Sequence, residues 1–522
     1  AAVEQYCKTM GKVVIICKDR PGFVVNRFFV PWLNEACLLL DEGIASAAAI
    51  DAVAQKAFRI GMGPFALMNL TGPPIALHST DYLAEQLNCP RYTGATNLRN
   101  MVEAGEMWNI GNDTDCSEDA ATIIRERLLG QAFAVSAQIV EEDICSLEDV
   151  DRGAKVGLRW ARGPFEIANK LGIKEAVRMA TKYAEIANFK LPNWFASCTE
   201  PLEFSYVDTI VNGEIATIRI NRPEAMNALN ETVVSQLGSA LDAVNSRNDI
   251  TTIVIDGAGK AFVAGADVKF FVDKIRANSI QDIYNFTAQG HEVLAKLENS
   301  SKTTIALTTG LALGGGLELA LSCDYRVGTR RSQFRFPETN IGIYPGLGGT
   351  QRTPRICGIE AARYAVLAGN FLDSKGARAL GILTHLVEPS SVDSTITEIA
   401  LSGKPSNKYP AAPVDPSHPA VAFALAFYND ANMAALSSGN CPDGFSAEDK
   451  MVSRQLKSLS RTAPIALAMA SQLLDDAVNT GDNLKSGLDL ELERLNAIFS
   501  TADALEGLSA LIEGRRPSYT NS

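Results

Sequence analysis

A chain of 522 residues points to two to four domains and excludes a small stapled scaffold. With 46% hydrophobic and 21% charged residues it can bury large cores, and wholesale disorder is excluded. Lys and Arg number 48 against 60 Asp and Glu, a net charge of −12 with no dense basic run, which argues against nucleic acid as a partner.

The chain opens on AAVEQYCKTMGK, with no charged region ahead of an apolar stretch, so no signal peptide is read there. GKVVIICK (11–18) reads as a strand with nothing upstream to pair with, and the expectation is a chain that begins inside a domain. Helix-period patterns then dominate to about residue 190, as in 28–40 and 123–141. A shift of 100 residues superposes Arg27 on Arg127, Glu42 on Glu142, Ile44 on Ile144 and Asp51 on Asp151. Gly63-Pro64-Phe65 falls on Gly163-Pro164-Phe165, and Gly72 on Gly172. Each copy reads as a long amphipathic helix, a turn, a second helix and a Gly-Pro-Phe elbow, two helical units that bury a shared face.

LPNWFASCTEPLEF (191–204) carries two prolines and no clear periodicity, and marks a boundary. Beyond it, strand-like runs (215–220, 252–255, 304–307) alternate with helical ones (231–244, 283–297), the pattern of βα layering. Residues 404–449, rich in Pro, Ser, Asn and Asp around an apolar 420–427, read as an insertion ahead of helices at 465–478 and 484–499. No apolar run is long enough to span a bilayer, so the chain reads as soluble. Ten scattered cysteines form no CxxC pair, which removes zinc and thioredoxin-like spacings and points to a reducing, cytoplasmic compartment.

Gly61-Met-Gly63-Pro-Phe-Ala66 formally matches a dinucleotide fingerprint, but helical sequence precedes it and Pro sits inside it, so the reading is rejected. None of the four histidines pairs with a motif nucleophile. Residues 306–350 are more informative. Gly314-Gly315-Gly316 leads into the helix-forming LELAL, where bare backbone N–H groups can meet developing negative charge on a carbonyl oxygen. Glu318 lies in that helix's first turn, and Glu338 follows the strand-like SQFRFP. Singly, each glutamate has an ordinary reading, as a dipole complement or a solvated loop residue. Together they can divide acid and base work in one pocket. A second small-residue loop, 259–269, is flanked by Lys260 and Lys269, which can meet phosphates as point charges.

NRPEAMNALN (221–230), KAFVAGADVK (260–269), ALGGGLELALSCD (312–324) and FPETNIGIYPGLGGTQR (336–352) follow the order seen in the crotonase superfamily. They resemble enoyl-CoA hydratase most, over about 204–400 plus the C-terminal helices. The resemblance implies that the N–H groups of Ala266 and Gly315 hold the thioester oxygen. It sets Lys260, Ala264 and Lys269 near the adenosine and phosphates of CoA, makes Glu318 and Glu338 the two hydratase glutamates, and has Gly346 help fix the water. Isomerase relatives often keep one of these carboxylates; this chain has both.

DRPGFVVNRFFVPWLNEA (19–36), MGPFALMNLTG (62–72) and the 100-residue repeat resemble the C-terminal domains of L-3-hydroxyacyl-CoA dehydrogenase. In that family the Asn of the PGFxVNR motif, here Asn26, is a substrate-side residue, and the NAD-binding domain and His–Glu pair lie upstream. The expected organisation is all-α dehydrogenase-type repeats followed by an α/β crotonase-like domain. Residues 1–18 are read as a remnant of an NAD-binding domain, 19–110 and 111–190 as the two helical copies, 191–203 as a linker, and 204–522 as the hydratase domain. The expected function is hydration of a 2-enoyl-CoA to a 3-hydroxyacyl-CoA, within a bifunctional fusion whose front domain this chain lacks. Alternatives are an enoyl-CoA isomerase and a non-catalytic CoA-ester scaffold. No metal or cofactor is expected for hydration, and NAD only for a full-length dehydrogenase. The expected partners are acyl-CoA thioesters and further copies of the chain.

Overall fold

The computed structural model describes residues 3, 6, 7, 10–111 and 113–522. The chain divides into two compact units, one of Val13–Ser205 and one of Ala1–Lys12 with Tyr206–Ser522. No helix among the described residues is long and apolar enough to cross a membrane.

The Val13–Ser205 unit is helical, and its repeat has a bonding reason. Asp51, in the helix Ala47–Phe58, accepts the N–H groups of Phe65 and Ala66 at 2.8 Å each, which caps the helix Pro64–Thr71. Asp151 does the same for Phe165 and Glu166 at 2.8 Å, ahead of the helix Pro164–Leu171. Glycine at 63 and 163 follows from this, since a Cβ at either would fall on the capping aspartate. The copies also exchange ion pairs: Arg27 meets Glu142 at 2.6 Å, and Arg127 meets Glu42. The two long helices, Val25–Asp41 and Glu118–Glu141, pack against each other with Phe28, Trp32, Leu128 and Phe133 buried between and around them.

One expectation is corrected here. Residues 11–18 form no strand: a strand needs a ladder partner, and this segment instead lays Ile15 and Cys17 on the helical core, with the Lys18 N–H on the Ile144 carbonyl. Of the segment 1–18 read as a domain remnant, residues 1, 2, 4, 5, 8 and 9 lie outside the described residues. The segment 191–203, read as a linker, packs on the helical unit just ahead of the break between the two units. Leu191 and Phe195 are buried in the helical core, and Asn169 clamps the Leu202 backbone at both its N–H and its carbonyl, 2.8 Å each. Asn69 clamps Trp108 in the same way one repeat earlier. Prolines hide the periodicity of such a segment without releasing it from the core.

The second unit carries two sheets. The larger has the order β1-β2-β3-β5-β7-β10: β1 (Val207–Asn212) antiparallel to β2 (Ile215–Ile220), then β3 (Thr252–Gly257), β5 (Thr303–Thr308), β7 (Tyr325–Gly328) and β10 (His385–Leu386), all parallel. The smaller runs β4 (Ala261–Ala264), β6 (Leu311–Leu313), β8 (Gln333–Arg335) and β9 (Leu372–Asp373), the last pair antiparallel. The alternating IATIRI of β2 buries every second residue, whereas TIVIDG of β3 is buried almost throughout, as a central parallel strand must be. Residues 404–449 are built into this unit: Val421, Ala424, Phe427 and Tyr428 are buried, and Arg363 bonds both the Tyr428 carbonyl and Asp430.

Candidate active site

Strands β4, β6 and β8 end at one cavity of about 290 Å³. The helix Gly315–Leu321 starts where β6 ends, and Gly314 makes the corner. Its φ is +47°, and a Cβ there would collide with the Glu338 carboxyl. Two residues on, a Cβ at Gly316 would fall on the Val263 carbonyl of β4. The glycine triplet is therefore required twice over: by the turn and by the close approach of two backbones. A parallel bridge between Leu229 and Ala266 fixes the neighbouring loop, with the Leu229 N–H on Gly265 and the Asp267 N–H on Leu229. In such a bridge the intervening N–H, that of Ala266, points away. Among the described residues neither the Ala266 N–H nor that of Gly315, the first residue of its helix, has a hydrogen-bond acceptor, and both residues line the cavity.

Glu318 and Glu338 line the same cavity and are both buried. Oε1 of Glu318 accepts the N–H groups of Leu347 and Gly349 at 2.7 Å each. Burial pushes its carboxyl up to about 7; those two N–H groups, and the Arg352 charge, oppose the rise. Glu338 follows Pro337 at the head of a short 3₁₀ turn, and its Oε2 has no partner among the described residues. Burial raises its carboxyl well above the ordinary range, and the neighbouring Glu318 charge raises it further. Each charge disfavours the other, so the pair gives up its two protons in separate steps. Gly346 also lines the cavity, its carbonyl accepting from His291 Nε2 at 2.7 Å. Burial lowers His291 to about 4, so at neutral pH it is an uncharged donor. The far wall is apolar, with Phe271, Phe286, Leu495, Phe499, Leu508 and Leu511. Two free N–H groups, a base, an acid and an oily wall can polarise a carbonyl and move protons on carbon beside it.

The structure thus brings Ala264, Ala266, Gly315, Glu318, Glu338 and Gly346 around one cavity. It does not bring the two lysines there. Lys260 is exposed at the start of β4, and Lys269 is an exposed first-turn residue paired with Asp273. Long, hydrated side chains keep their charge in water when nothing anionic draws them in. Asn26 sits exposed in the first turn of Val25–Asp41, in the helical unit. Sequence reasoning missed His291 and Glu491, both buried around the 346–349 turn. Glu491 did leave a signal, a carboxylate in the stripe Leu488, Leu495, Phe499 of its helix.

Residues 215–522 match the family model for enoyl-CoA hydratase/isomerase. The chain belongs to that family. Residues 22–112 match the model for the 3-hydroxyacyl-CoA dehydrogenase C-terminal domain. The chain is similar to a short-chain-enoyl-CoA hydratase of Clostridium acetobutylicum, 35% identical over 200 residues, covering 38% of this chain and 75% of the relative. It is also similar to a crotonyl-CoA hydratase of Syntrophomonas wolfei, 36% identical over 199 residues, covering 38% and 75%. An enoyl-CoA hydratase crystal structure from Rhodobacter sphaeroides shares the fold at TM-score 0.52 and 22% identity, covering 60% of this chain and 92% of that one.

Proposed function

We propose that the 206–522 unit hydrates the 2,3-double bond of a 2-enoyl-CoA thioester. The observation that carries this is the pair of buried carboxyls at one cavity, both raised above the ordinary range, beside two unpaired N–H groups. The thioester oxygen accepts from Ala266 and Gly315, which draws electron density from the alkene and stabilises the enolate that forms on attack. Ionised Glu318 takes a proton from water as its oxygen bonds to C3. Protonated Glu338 delivers a proton to C2, and the product is a 3-hydroxyacyl-CoA. Two carboxyls support hydration, in which one proton leaves water and another reaches carbon. Ala264 would lie along the CoA moiety, Gly346 beside the water, and Lys260 and Lys269 swing to the CoA phosphates from the surface. Ten free cysteines fit a cytoplasmic setting.

The test is the loss of the conjugated-enoyl absorbance of crotonyl-CoA, followed against pH. The rate should rise as the coupled pair gives up its first proton, which supplies the base, and fall as it gives up the second, which removes the acid. A flat profile between pH 5 and 9 would remove the acid–base pair from the mechanism.

The helical unit offers a dinucleotide no cradle: its described residues contain no strand, and the GMGPFA string follows the helix Ala47–Phe58 rather than a strand. This 522-residue chain should therefore form no NADH from 3-hydroxyacyl-CoA and NAD, and Asn26→Ala should leave hydration unchanged. NADH from the purified chain, or a hydration rate lowered tenfold by Asn26→Ala, would show that the helical unit takes part.

A further inference from the structure

Successive peptides of the 347–349 turn point their N–H groups to opposite sides. Leu347 and Gly349 donate to Glu318, and Gly348, between them, donates to Glu491 Oε2 at 2.7 Å. One carboxylate cannot satisfy all three, so the turn is clamped between two. Glu491 comes from the helix Leu484–Phe499, is fully buried, and also accepts from the Thr350 hydroxyl. Its own backbone carbonyl accepts the Tyr344 hydroxyl at 2.5 Å, so this helix holds the segment at both ends. One and two turns further along the same face, Leu495 and Phe499 reach the cavity wall.

The charged neighbours are few. His291 Nε2 lies 3.8 Å away and is uncharged at neutral pH, Arg352 is ion-paired with Glu298 and favours the Glu491 carboxylate only through space, and Glu318 opposes its charge. A carboxyl buried without a cation in contact is costly, and an apolar side chain would serve packing alone better. We propose that Glu491 is a positioning residue for the hydration read above: by holding the Gly348 N–H from behind, it sets the two N–H groups that aim the Glu318 carboxylate.

Steady-state hydration of crotonyl-CoA by the 522-residue chain tests this, with Glu491→Gln and Glu491→Leu. Glutamine keeps an acceptor for Gly348, and kcat should stay within about fivefold of wild type. Leucine removes it, and kcat should fall roughly 10- to 100-fold, the scale of a small misplacement at a reacting group, while KM stays within about threefold. Leucine matching wild type, or glutamine no better than leucine, overturns the proposal. Should the leucine variant not fold, Glu491→Asp decides: it keeps the carboxyl but withdraws the oxygen from Gly348, and should lose about tenfold in kcat alone. An unchanged kcat there overturns the proposal as well. A wild-type chain that leaves crotonyl-CoA untouched overturns the hydratase reading itself, whereas active wild type with an equally active leucine variant overturns only the role of Glu491.

Discussion

Glu318→Gln and Glu338→Gln should each cost at least about 10²-fold in kcat, the usual scale of a positioned acid or base, while the fold and CoA-ester binding survive. The substitutions differ in what they leave behind. At 318 the amide oxygen still accepts from Leu347 and Gly349, so the turn stays in place and only the base is lost. At 338 Oε2 has no hydrogen-bond partner among the described residues to lose, so the loss reports mainly on the proton the carboxyl carries. Both variants should also gain stability relative to wild type as pH rises. The two acids have folded pKa values raised above their unfolded ones, so their stability contribution is full below about pH 4.5 and is lost as pH climbs through the folded values. Thermal melts at pH 5 and pH 8 would read this directly: a variant that gains nothing at pH 8 contradicts the burial argument. Either variant hydrating crotonyl-CoA at near the wild-type rate contradicts the assignment of the pair.

Gly315→Pro should be far more damaging to activity than Gly315→Ala, by roughly 10²-fold, the measured scale for removing one oxyanion donor. Position 315 is the first residue of its helix, where proline is well tolerated by the helix and the missing N–H breaks no hydrogen bond among the described residues. Alanine keeps the N–H, but its methyl group would stand 3.2 Å from Leu347 Cδ1, so a modest loss is expected there too. Circular dichroism and kcat on the same preparations separate the cases. Equal activity in folded alanine and proline variants would show that this N–H does not meet the oxyanion.

Much of this site is legible in the sequence because its residues are local in the chain. The Gly314–Gly316 triplet, Glu318, Glu338 and Gly346 fall within 33 residues, and short β-strand-to-turn connections carry them to one cavity. The helical repeat is legible for a similar reason: Asp51 and Gly63, like Asp151 and Gly163, sit twelve positions apart and touch. What escapes is what depends on distant partners. GKVVIICK has strand propensity, but propensity forms no strand without a neighbouring edge, and tertiary packing on the helices prevails. The 191–203 segment is held by Asn169 and by aromatic burial rather than by any periodic pattern. Glu491 follows Gly348 by 143 positions, so only its place in an apolar stripe hints at burial. The two lysines flank the motif in the sequence, and both stand at the surface rather than on the cavity wall.

The central claim is that the oxygen of water becomes bonded to C3 of an enoyl-CoA at the cavity formed by Glu318 and Glu338. Crotonyl-CoA incubated with the chain in ¹⁸O-labelled water, followed by mass spectrometry of the CoA esters, tests it most directly. The expected product is 3-hydroxybutyryl-CoA carrying one labelled oxygen on C3, formed by wild type and at least about 10²-fold more slowly by Glu338→Gln. Recovery of unlabelled crotonyl-CoA alone, or of a shifted double bond without oxygen gained, would contradict it.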